Sequence, residues 1–180
     1  MKKVLFVYID YDLLNPTLIG GSVNHGLAYL AGALKENNIH CKLFHIMTPF
    51  TESAFLETFK KYEDYNIIAL SFNSYRCKEN YQVAAFIKKK YPGKYIVAGG
   101  VHPTVSSEEV ITNNNIDCIC IGEGEFVLTE IVRKYHGLHF HLINNIYYKK
   151  NGEIQRNAIN HNNTDFDEYP MPDYSIYDFS

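Results

Sequence analysis

Four short stretches combine residues that bare the backbone or offer hydrogen bonds, and each follows an apolar run. They are DYDLLNPTLIGGSVNHG at 10–26, which holds Tyr11, His25 and Gly26, then SFNS at 71–74, GGVHP at 99–103 and GEGE at 122–125. Glycine lets a ligand approach the main chain, and a helix start just behind such a loop presents free N–H groups to phosphate or amide oxygens. Gly99-Gly100 and Gly122-Glu123-Gly124 therefore suit a large ligand lying flat over the edge of a sheet, while Ser71, Asn73 and Ser74 suit a polar tail entering beside the first and third strands. Taken singly, glycines that end strands and serines that cap helices explain each loop without a ligand. Four of them on one edge favour a shared site.

The elements that must put them there are legible from periodicity. The runs KVLFVYI at 3–9, CKLFHI at 41–46, NIIALSF at 66–72, KYIVAGG at 94–100 and DCICIG at 117–122 are apolar at nearly every position. That pattern suits parallel strands covered on both faces. Between them, NHGLAYLAGALKENN, SAFLETFKKYED, CKENYQVAAFIKKKYPG and GEFVLTEIVRKYHG carry apolar residues at helical spacing, with a weaker helix at SSEEVITNN. This alternation predicts an α/β fold with a doubly wound, Rossmann or flavodoxin-like, five-stranded parallel sheet of order 2-1-3-4-5, whose ligands sit beyond the carboxyl ends of the strands. The α/β domain spans residues 1–140. A hairpin over 141–160 follows, with Asn151-Gly152 as a type I′ turn, and residues 161–180 read as an extended linker broken by Pro170 and Pro172.

Composition narrows the classes. With 46% apolar and 21% charged residues and a net charge of −3, the chain is ordinary for a globular protein and has no field for nucleic acid. No stretch approaches the ~18 apolar residues of a membrane span, and the N-terminal run is too short for a secretory signal. A cytoplasmic location is expected, in which the four cysteines stay reduced and the sequon at Asn162 carries no meaning.

In this order, GLAYLAGALKENNIHCKLF, IIALSF, IVAGGVHPTVSSEEV, IDCICIGEGEFVLTEIV and DFDEYPMPD resemble the cobalamin-binding domain that precedes the catalytic barrel in many radical S-adenosylmethionine enzymes. That family includes oxygen-independent magnesium-protoporphyrin monomethyl ester cyclase and various methyltransferases, and the resemblance covers roughly residues 1–178. It implies cobalamin held across the carboxyl edge, with Gly26 opening the helix after the first loop, Ser71 to Ser74 lining a slot for the nucleotide tail, Gly99 to Pro103 near the ring or tail, and Gly122 to Glu125 closing the site. The iron–sulfur cluster and S-adenosylmethionine are expected only in a barrel domain that this chain lacks, the partner that would complete the enzyme. Weak cobalamin affinity is expected without it.

The chain departs from one pattern. Cobalamin mutases and methionine synthase carry D-x-H-x-x-G after the first strand, whose histidine ligates cobalt; here Asp10 and Asp12 precede LLNPTLIGGSVNHG and that spacing is absent. The resemblance thus implies base-off cobalamin without a histidine ligand, although His25 remains a candidate to reach the metal and His102 to touch the ring. The plain alternative for His25 is a solvated or helix-capping residue.

Other constellations point elsewhere or nowhere. Cys118 and Cys120 share a strand face and read as buried structural cysteines, and His136, His139 and His141 lack the thiolate or carboxylate neighbours of a metal site. The chain has no C-x-x-x-C-x-x-C, P-loop, H-E-x-x-H or serine–histidine elbow, so it has no catalytic set of its own. A receiver domain would need an aspartate ending the third strand and a lysine ending the fifth, where this chain has Phe72-Asn73 and Glu123-Gly124. A flavodoxin-like carrier and a cofactor-free scaffold of the same fold stand as the alternatives.

Overall fold

In the computed structural model, which describes residues 2–11, 21–135, 139–160 and 169–178, strands and helices alternate in the expected order. The strands are β1 (Lys3–Ile9), β2 (His40–Ile46), β3 (Ile67–Ser71), β4 (Tyr95–Gly99), β5 (Cys118–Cys120), β6 (Ile146–Lys150) and β7 (Glu153–Arg156). The helices are α1 (His25–Glu36), α2 (Glu52–Phe59), α3 (Cys77–Lys90), α4 (Val101–Val105), α5 (Ser107–Thr112) and α6 (Glu125–Lys134).

β1 to β5 are parallel in the order β2-β1-β3-β4-β5, as the periodicity predicts. The sheet does not stop there. β6 pairs antiparallel with β5 and β7 with β6, so the hairpin continues the same sheet to seven strands. Its turn residues Asn151 and Gly152 have φ of 53° and 82°, the two positive values that a type I′ turn requires.

Each face has its own core because the strands are apolar on both sides. Leu5, Val7, Ile68, Leu70 and Ile96 pack against Phe55 and Phe59 of α2 and Val83, Ala84 and Ile87 of α3. On the opposite face Val4, Phe6, Ala69, Val97 and Cys118 meet Leu27, Ala31 and Leu34 of α1 and Leu128, Ile131 and Val132 of α6. The winding therefore changes side between β1 and β3, where such folds open a crevice.

Two segments differ from their sequence reading. GGVHP is not open loop past its glycines: α4 begins at Val101, and Pro103 falls within its first turn, where a missing N–H leaves no helical bond unmade. In the C-terminal segment, residues 169–178 fold back onto α1 rather than running free. Asp173 N donates to Ala28 O at 2.8 Å, Lys35 pairs with Asp173 at 2.9 Å, and Gly32 is the notch: a Cβ there would lie 2.0 Å from Met171 O. Residues 12–20, His136, the sequon and the rest of 161–168 lie outside the described residues.

Candidate functional site

The middle of β1, the carboxyl ends of β3, β4 and β5 and the N-terminal turns of α1 and α6 enclose a slot of about 290 Å³. Its floor is apolar, formed by Phe6, Ala69, Val97 and Cys120, with Leu27, Leu30 and Leu128 on the helical walls. Its mouth is formed by Gly26, Gly99, Gly100, Val101 and Gly122 to Gly124. Polar groups enter from Asn24, Ser71, Asn73 and Glu125.

Local bonding explains why the mouth stays open. Asn24 caps α1, its Oδ1 accepting from Leu27 N at 3.2 Å, while its Nδ2 donates to Ser71 Oγ at 3.4 Å. Gly100 has φ 102°, and a Cβ there would sit 2.7 Å from Phe72 O, so only glycine lets the end of β4 lie against the chain leaving β3. Thr104 Oγ1 accepts from Gly122 N at 3.0 Å, tying α4 to the turn after β5. At Gly99 a Cβ would meet nothing nearer than Cys120 Cβ at 3.8 Å. Its absence widens the slot rather than relieving a clash.

The electrostatics favour a neutral interior. Burial pushes the Cys120 thiol up to about 12, so it stays protonated, and its Sγ lies 3.8 Å from Glu123 O. Burial also raises the Glu125 carboxyl, against the downward pull of nearby main-chain amides. Among the described residues no cluster of three histidine, cysteine or acidic side chains stands ready to hold a metal.

Of the residues singled out in the sequence, Gly26, Ser71, Asn73, Gly99, Gly100, Gly122, Glu123, Gly124 and Glu125 converge on this slot. Five do not line it. Tyr11 belongs to the core of the opposite face, its ring 4.4 Å from the Arg76 guanidinium. His25 is exposed, and its Nδ1 is 2.9 Å from Tyr174 Oη. His102 is buried and stacked on Phe72, with Nδ1 3.3 Å from Ser74 Oγ, which places both residues and Pro103 behind the mouth. The apolar floor escaped sequence reasoning, which took these positions for ordinary core. A signal existed for three of the four: Ala69 and Ser71, Val97 and Gly99, and Cys120 and Gly122 are spaced by two, so each of these floor residues alternates in step with a candidate at the strand end.

A family model described as B12 binding domain matches residues 18–132. The "Uncharacterized methyltransferase PH0819" of Pyrococcus horikoshii is 28% identical over 153 residues, which cover 84% of this chain and 33% of that protein. Among solved structures, the cobalamin-dependent S-adenosylmethionine radical enzyme OxsB, with aqua-cobalamin and S-adenosylmethionine bound, aligns with a TM-score of 0.76 at 21% identity, covering 98% of this chain and 24% of that one. The radical S-adenosylmethionine methyltransferase TsrM from Kitasatospora setae, with cobalamin and an iron–sulfur cluster bound, gives 0.71 at 12% identity over 96% of this chain and 31% of its own. At such identities the solved structures establish the shared fold. The chain spans about a third of the curated relative and about a quarter of OxsB.

Proposed function

With residues 18–132 matched, the chain belongs to the B12-binding domain family, and from that premise we propose that it binds cobalamin in the base-off state, with no histidine on the metal. The nucleotide tail would enter the slot between α1 and α6, and the corrin would lie over the glycine mouth. The observation that carries this is the slot itself: at about 290 Å³ it is near the lower end of the ligand-pocket range, large enough for the tail and too small for the ring.

Other features of the rim support the same reading. Val101, at the mouth, is 66% exposed. An exposed apolar side chain among the mouth glycines suits a broad ring laid across it. The absence of a histidine ligand is supported by His25 and His102, each tied to a hydroxyl away from the slot. Bound cobalamin would supply methyl transfer or assistance to radical chemistry on a substrate held by a separate iron–sulfur and S-adenosylmethionine domain. This chain's part is to seat and orient the group: Gly99 and Gly122 to Gly124 give it room, the Ser71 hydroxyl, which only accepts from Asn24, meets its polar tail, and the apolar floor keeps water from beneath the tail.

Titrating the protein with hydroxocobalamin and following the visible spectrum tests the reading. The expected result is a shift to base-off bands with micromolar or weaker affinity, because the outer side of the corrin would be covered by the other domain. A titration that leaves the spectrum unchanged, or that keeps the base-on bands through saturation, overturns it.

A further inference from the structure

One buried side-chain atom of the slot has no hydrogen-bond partner among the described residues: Glu125 Oε2, on a residue only 6% exposed. Acidic residues at the start of a helix usually face solvent, where the helix dipole favours their charge. Glu125 instead opens α6 with its side chain lining the slot. A carboxyl kept where leucine would pack carries a desolvation penalty that nearby main-chain amides only partly recover, so a partner for Oε2 is to be sought outside the chain.

The two slot asparagines already have partners within the chain. Asn24 is spent on Leu27 N and Ser71 Oγ, and Asn73 Oδ1 accepts from Arg76 N at 2.9 Å. Glu125 also lies about one helical turn nearer the carboxyl edge than Leu128, which joins Phe6 and Val97 in the deeper, apolar part. A planar apolar base suits that depth. The piece of a nucleotide at the level of Glu125 is then the sugar between base and phosphate. Burial raises this carboxyl, and its unpaired oxygen can accept from a sugar hydroxyl.

We propose that Glu125 is the specificity residue for the inserted nucleotide, hydrogen-bonding a hydroxyl of its sugar. This rests on the cobalamin reading above, and the experiment separates the two. Cobalamin and cobinamide, the same corrin without its nucleotide, are titrated into the wild-type protein and into Glu125→Leu and Glu125→Gln, and the melting temperature of each ligand-free protein is recorded. Glu125→Leu is expected to weaken cobalamin by about tenfold or more while leaving cobinamide within about twofold, and Glu125→Gln to retain most of the affinity. Ligand-free Glu125→Leu is expected to melt higher than wild type, because an unpaired buried carboxyl has gone. Equal losses for both ligands, or no loss for either, overturn the role of Glu125 while leaving cobalamin binding intact. Wild-type protein that binds cobinamide as tightly as cobalamin also overturns it, and wild-type protein blind to both corrinoids takes the underlying reading down as well.

Discussion

The phenol of Tyr177 brackets the main chain of Asn24, accepting from Asn24 N at 3.0 Å and donating to Asn24 O at 3.0 Å across 153 residues of sequence. Asn24 is also the cap of α1 and a lining residue of the slot. The C-terminal segment thus fixes the start of the helix that forms one wall of the site.

Tyr177→Phe keeps the ring against His45 and deletes both bonds. The expected cost is about 1–2 kcal/mol, read from urea unfolding, with a weaker cobalamin titration because the wall is less well placed.

Gly32→Ala separates helix propensity from packing. Alanine favours a helix interior by about 1 kcal/mol over glycine, yet its Cβ here would strike the Met171 carbonyl. The segment is expected to lift, seen as faster proteolysis after residue 168 and a lower melting temperature. A more stable protein would mean that the segment is not seated on α1.

Gly100 and Gly99 are neighbours with different duties. Gly100→Ala is expected to cost about 2–3 kcal/mol, because it combines a positive φ with a clash against Phe72 O. Gly99→Ala has room for its methyl group, so stability should hold while cobalamin affinity falls as the slot narrows. Unfolding curves and spectral titrations of the pair check both halves.

Acid sensitivity is expected from Asp10 and His45, whose Oδ2 and Nε2 are 3.5 Å apart. Burial alone would raise the Asp10 carboxyl, but hydrogen bonds from Ser22 Oγ and the Gly21 and Ser22 amides, together with His45, hold it below its ordinary value. Burial lowers His45 despite the opposing pull of Asp10. Both folded pKa values are depressed, so both contributions are present above the unfolded values and are lost as pH falls: from about 6.5 downward for His45 and from about 4 downward for Asp10. Asp10→Asn removes the anion that supports His45 protonation. The loss of stability between about pH 6.5 and 5 should then steepen, as measured by denaturant unfolding at each pH.

How much of this was legible in sequence depended on range. The five parallel strands announced themselves because burial on both faces leaves near-continuous apolar runs, and Asn151-Gly152 marked its own turn because few other pairs tolerate two positive φ values. The converging glycines were found because strand ends in such a sheet share an edge. The return of Met171 to Tyr177 onto α1 was not found, since its bonds join residues far apart in the chain and Pro170 and Pro172 read locally as linker. Gly32 was the available clue: a glycine inside a helix calls for a reason, and Met171 is that reason. Cys120 and Val97 were hidden for a different cause, because the wall of an apolar slot and the wall of a core have the same composition.

The hairpin has a practical bearing on where this domain can be cut. β5 has only three strand residues, and its outer side is covered by β6, with Cys118 opposite Tyr148 and Cys120 opposite Ile146. A version shortened to residue 140 would contain the whole family match yet leave that flank of the cofactor's seat as a raw, sticky border for other chains to pair with. Keeping residues through Arg156 is what lets so brief a strand serve as an interior wall, shielded on both sides.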